Sequence, residues 1–144
     1  MNKNHTIAIL GFNNHKITLS ALKQIRKTGC KDHILFFDNG SLPSFEKLIN
    51  DSNFTYYRIE NNIYVNPAWN KIFNLVNSKY LTLLNNDCFI ESSQYFDDVI
   101  PNMEKNNIML TSCKTKNIKF YNSFVQLLYK LKYLRYNNKP LEYS

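Results

Sequence analysis

Glycine is scarce in this 144-residue sequence: Gly11, Gly29 and Gly40 are all there are. From three so spaced, neither a G-x-G-x-x-G dinucleotide fingerprint nor a P-loop can be written, which disfavours dinucleotide oxidoreductases and P-loop nucleotide hydrolases. Cysteine is equally sparse. Cys30, Cys88 and Cys113 are odd in number and far apart, so they form no disulfide framework and no C-x-x-C zinc pair, and a reducing, cytoplasmic setting is expected. Cys88 is read as a packing residue, since cysteine is among the most buried residue types. The isolated His5, His15 and His33 show neither metal-ligand spacing nor a partner nucleophile. No apolar run approaches the roughly 20 residues needed to cross a bilayer. The apolar run after the amino-terminus is short and lacks a small-residue cleavage site, so no export signal is expected. Repeats and Gly, Pro or Ser-rich linkers are also missing.

What is present suits one folded domain, with 44% hydrophobic and 20% charged residues. The net charge of +7 is unevenly placed. Residues 1–113 carry 11 basic and 10 acidic side chains, and residues 114–144 carry 7 and 1. The chain is therefore read as a domain over 1–113 and a basic segment over 114–144. In that segment Phe120, Phe124, Leu127, Leu128, Leu131 and Leu134 recur at helical spacing, interleaved with Lys130, Lys132 and Arg135. This predicts an amphipathic helix packed on the same domain, with a membrane surface or a partner protein as its other possible contact.

Along 1–113, apolar runs alternate with amphipathic stretches. Strands are predicted at Thr6–Phe12, His33–Phe37, Phe54–Ile59 and Tyr80–Leu84, with a fifth at Asn107–Ser112. A helix carries Leu19, Leu22 and Ile25 and ends at Gly29. A short helix is expected near Ser44–Asn50, and another is capped by Asn66 with Pro67 in its first turn. The fold class that follows is α/β, a mostly parallel Rossmann-like sheet with helices on both faces. Ligands of such sheets bind beyond the carboxyl ends of the strands. Asp38, Asn61 with Asn62, and Asp87 each follow a strand, so three polar clusters are expected to converge on one crevice.

Asp87 closes an apolar strand, where a carboxylate has no packing value and is solvated or bound to a hard cation such as magnesium or manganese. Asp38 and Asp87 are equally compatible with ordinary turn or capping roles. Ile7 through Asn13, His33 through Ser41 (HILFFDNGS), Asn62 through Asn70 (NIYVNPAWN) and Leu83 through Asp87 (LLNND) together resemble the GT-A glycosyltransferases of the large, mostly inverting family 2. That resemblance implies a metal-dependent, hexosyltransferase-type enzyme using a nucleotide-sugar donor, most simply a UDP-sugar, and a glycan or protein acceptor. It implies that Asp38 contacts the base and that Asp87 ligates Mn2+ or Mg2+ bridging the diphosphate. Asn85 would hold the first place of a D-x-D variant. Phe12, Asn13, Asn62 and Asn70 would shape the donor pocket.

The sequence departs from the family pattern in three places: Pro43 stands where an acid is frequent, a frequent glycine is missing around Ile63-Tyr64, and Asn85 replaces a carboxylate. Only 57 residues follow Asp87. The expectation is a truncated domain, an enzyme completed by a partner, or a relic that keeps donor binding. Glu91, Asp97 and Asp98 are read as solvated charges, and no general base is assigned. A second reading is a non-catalytic module whose basic aromatic end binds nucleic acid or an anionic membrane; near-neutrality of residues 1–113 counts against nucleic acid.

Overall fold

Two strands of this chain are apolar along nearly their whole length, and they become the centre of the sheet. In the computed structural model, which describes residues 4–49 and 51–112, β1 (His5–Gly11) is buried at all seven positions and β2 (His33–Asn39) at six of seven. Strands covered on both faces read as continuous apolar runs for this reason. The outer strands, β3 (Phe54–Ile59) and β4 (Tyr80–Asn85), are only partly buried. All four are parallel in the order β3-β2-β1-β4.

Three helices lie among the described residues: α1 (His15–Lys27), α2 (Val65–Leu75) and α3 (Gln94–Lys105). Ile7, Ile9, Ile34 and Phe36 face one way and pack with Leu22 and Ile25 of α1 and Phe96 of α3. Ala8, Leu10, Leu35 and Phe37 face the other way, onto Ala68 and Ile72 of α2. The alternation of side chains along each strand thus builds two half-cores and a three-layer α/β/α arrangement. Gly11 is required where β1 leaves the sheet, because a Cβ there would lie 2.3 Å from the Phe36 ring.

The chain divides into two compact units, Met1–Met109 and Leu110–Ser144. The amphipathic helix expected within 114–144 lies outside the described residues. Among those described, no helix is long and apolar enough to cross a membrane.

Three local expectations are corrected. The helix expected near Ser44–Asn50 is a turn over its described residues 44–49, with the Leu48 N–H donating to the Phe45 carbonyl at 2.8 Å; a segment this short cannot repay helix nucleation. Asn107–Ser112 is not a strand. Asn107 adopts φ 52° and the Ile108 N–H returns to the Met103 carbonyl at 2.9 Å, closing α3, while Met109 is 96% exposed. The cap of α2 is Tyr64, not Asn66, and Pro67 still falls in the first turn, where no backbone N–H is needed. Cys30 is buried, whereas Cys88 is half-buried.

Candidate functional site

The strands end level with one another. Gly11 pairs with Asp38, Leu10 with Asn85, and Asn39 with Ile59, so the loops that follow all leave from one edge. From β1 the chain moves outward through β2 to β3, then returns by α2 to place β4 on the other side of β1. That reversal makes the β1/β4 boundary the topological switch point, where open α/β sheets form their ligand crevice. Asn13 follows β1 and Asp87 follows β4, so the two flank it.

The β2 end, Asp38-Asn39-Gly40-Ser41, ties three loops together. The Asp38 side chain is fully buried. Its Oδ1 accepts the Ser41 N–H at 2.8 Å, and its Oδ2 accepts the Tyr56 hydroxyl at 2.6 Å, Arg58 Nη1 at 3.1 Å and the Phe45 N–H at 3.3 Å. Burial alone would raise this carboxyl, but hydrogen bonds from Ser41, Tyr56 and Phe45 outweigh it and hold the pKa below the usual aspartate value. Tyr56 moves the opposite way, its phenol raised by burial and by donating to Asp38. No face of Asp38 is open to a ligand in this geometry.

Asn39 and Ser41 extend the tie in both directions. Asn39, also buried, donates from Nδ2 to Asn62 Oδ1 at 2.9 Å and to the Tyr64 carbonyl at 3.2 Å, and accepts the Ile63 N–H at 3.1 Å. Asn62 Oδ1 in turn accepts the Tyr64 N–H at 2.7 Å. On the β1 side, Ser41 Oγ accepts the Asn13 N–H at 2.9 Å, and Asn13 Oδ1 accepts the Leu42 N–H at 3.0 Å. Asn13 and Asn14 both have φ near 50°, a left-handed conformation that asparagine tolerates better than most residues. Asn86 Nδ2 reaches from the β4 loop to Thr18 Oγ1 of α1 at 2.8 Å.

Gly40 sits at the centre, with φ 81°, and a Cβ there would meet the Asn62 nitrogen at 2.7 Å and the Asn61 carbonyl carbon at 2.8 Å. Both neighbours are backbone, so the contact cannot be relieved by a rotamer. Gly40→Ala is expected to lower stability by about 2 kcal/mol or more, from the left-handed strain and the clash together, measured as a lower urea midpoint.

Not every expected residue shares this edge. Phe12 is 41% exposed beside the switch point, and Asn85 and Asp87 are exposed at the end of β4. Asp87 has no ion-pair partner among the described residues. Asn70 is separate: it lies five residues into α2, about 8 Å along the helix axis from its start. Glu91, Asp97 and Asp98 are exposed. A cavity of about 510 Å3 opens at the opposite, amino edge of the sheet, lined by His5, Lys31, Asp32, His33 and Asn53 among others. Both of its histidines are paired with protein, His5 with Asp32 and Thr82, and His33 with Asn53.

Sequence reasoning passed over Asn39, Tyr56, Arg58, Tyr64 and Asn86. Tyr56 and Arg58 carried a usable signal, since polar groups two apart on a strand share a face; Asn86 offered none, because its partner is 68 positions away.

A sheet of this order, with helices on both faces and its polar loops at the switch point, is the nucleotide-binding architecture of a GT-A glycosyltransferase. The sequence model of the family described as "Glycosyl transferase family 2" matches residues 6–142, and the chain belongs to that family. No curated protein matches the sequence.

Proposed function

We propose that this chain transfers a sugar from a nucleotide-diphosphate sugar, a UDP-sugar in the simplest case, to a hydroxyl of a glycan or protein acceptor. The observation that carries the reading is Asp87, an exposed carboxylate without an ion-pair partner among the described residues, beside the switch point. Among the described residues no group of three or more His, Cys, Asp or Glu side chains could hold a metal. A magnesium or manganese ion that takes one carboxylate from the protein and its other ligands from diphosphate and water does fit. When bound, such an ion neutralises the charge that develops on the departing diphosphate.

The chain's own residues then have distinct tasks. Asp87 supplies the carboxylate, and Asn85 stands two residues before it with an amide oxygen for the same region. The start of α1, which has no side-chain cap, offers backbone N–H groups near the phosphates, and Asn13 holds the loop that leads into it through its bonds to Ser41 and Leu42. Asp38 acts on the donor through the loop it holds, and Asn62 through its bond to Asn39. Phe12, exposed on the β1 loop, is placed for the base or ribose. Asn70 is assigned the least direct part, because it lies down α2. Free Cys30 and Cys88 fit a cytoplasmic setting. The alternative module reading, with a membrane or a partner protein at the basic end, draws on 114–144, outside the described residues.

Titration of the full chain with uridine diphosphate tests the proposal. Binding is expected with manganese and is expected to weaken sharply when the metal is chelated. Binding that ignores the metal would remove the role given to Asp87, and no binding of any nucleoside diphosphate would remove the donor reading altogether.

A further inference from the structure

Tyr64 occupies a backbone conformation that tyrosine should not choose. Its φ of 65° and ψ of −179° fall in a region populated almost only by glycine. The conformation persists because the backbone is gripped on both sides: Asn62 Oδ1 takes the Tyr64 N–H, and Asn39 Nδ2 donates to the Tyr64 carbonyl. Asn39 is itself buried and bonded to Asn62. Glycine would satisfy these two backbone bonds equally well.

Among the described residues the side chain gains no bonding partner in return. Tyr64 is 78% exposed, and its ring has no hydrogen-bond or ring partner among the described residues. A large aromatic group is thus held, against backbone preference, in solvent at the functional edge of the sheet. Its place on that edge indicates what it meets. Tyr64 follows β3 and Asp87 follows β4, the two outer strands of the order β3-β2-β1-β4. Three inter-strand spacings separate those strands, about 14 Å in all. From a metal-bound diphosphate near Asp87, a nucleoside extends across such a span, whereas a phosphate group alone does not.

We propose that Tyr64 is a stacking platform for the nucleobase of the donor, and so a residue that sets affinity for the nucleoside part of the donor. The inference rests on the donor reading given above. Base stacking on an aromatic ring contributes through the π-face and tolerates several bases. Tyr64 accordingly raises affinity for the nucleoside part and leaves affinity for the phosphates unchanged.

Tyr64→Gly and Tyr64→Phe in the full chain separate this role from a structural one. Tyr64→Gly is expected to raise the melting temperature by about 3–6 °C as backbone strain is released. The same variant is expected to bind uridine diphosphate with manganese about tenfold more weakly, while manganese pyrophosphate, which lacks a base, binds as to the wild type. Tyr64→Phe, which keeps the ring, binds both probes as the wild type does. A residue with only a structural role cannot make the protein more stable and yet lose affinity for just the probe that carries a base. If wild type binds both probes and Tyr64→Gly weakens neither, or weakens both equally, the stacking role is overturned and the donor reading stands. If wild type binds neither probe, both fall.

Discussion

Replacing Asp38 with alanine is expected to lower folding stability by about 3–5 kcal/mol, the range for removing one member of a buried, hydrogen-bonded charge cluster. The carboxylate accepts from the Tyr56 hydroxyl, Arg58 and the backbone N–H groups of Ser41 and Phe45. Without it, these donors are left beside an apolar methyl group and lose their buried acceptor. The loss should appear as a urea midpoint about 2 M lower. Asp38→Asn preserves shape and one acceptor oxygen, so it should fall between the two, which keeps the test readable if the alanine variant does not fold. A midpoint within about 0.5 M of wild type for both variants would show that the cluster is not a stability element.

The same carboxylate gives the fold an acid limit. Its pKa is depressed in the folded state, because hydrogen bonds from Ser41, Tyr56 and Phe45 overcome the upward push of burial. A depressed carboxylate stabilises the fold at pH values above its unfolded pKa of about 3.9 and loses that contribution as pH falls through the folded value. Stability should therefore decline on acidification below about pH 4, and the decline should be shallower in Asp38→Ala. It should not vanish there, since Asp51, buried in part but held down by Arg26 and the Asn53 N–H, is also depressed and contributes in the same direction.

The elements that were legible in the sequence are those whose residues answer to a single cause. β1 and β2 are buried on both faces, so an unbroken apolar run is sufficient notice of them. The helix bearing Trp69 and Ile72 shows its stripe for the same reason. Asn107–Ser112 has the apolar content of a strand but no strand hydrogen bonds; Asn107 instead turns left-handed to end α3. Apolar content alone does not distinguish the two. The DNGS run read as a turn, but Asp38 and Asn39 are the last two residues of β2, and the meaning of the run was not visible. Asp38 gathers donors from β3 and the 41–45 loop, Asn39 grips the β3–α2 loop, Gly40 allows that loop to approach, and Ser41 reaches back to Asn13. Each of these partners is at least 18 positions distant apart from the contacts to Ser41 and Phe45, and periodicity carries no information about such pairs.

Asp87→Ala is expected to behave in the opposite way from Asp38→Ala: function lost and fold kept. The side chain is exposed with no ion pair among the described residues, so its removal should change stability by no more than about 0.5 kcal/mol. If it supplies the one protein carboxylate to the metal and diphosphate, transfer from a UDP-sugar should fall by about 100-fold or more, the scale on which removal of a single preorganised electrostatic contact is felt. Metal dependence is the sharper readout. In the wild type, manganese should strengthen uridine diphosphate binding; in the variant, that increment should largely disappear while the metal-free affinity, which draws on the loops held by Asp38 and Asn39, changes little. Asp87→Glu, with the carboxylate displaced by one methylene, should recover part of the increment, whereas Asp87→Asn should not. A variant that keeps the full manganese increment would place the cation elsewhere on this edge and leave Asp87 a solvated turn residue, as Asp and Asn commonly are after a strand.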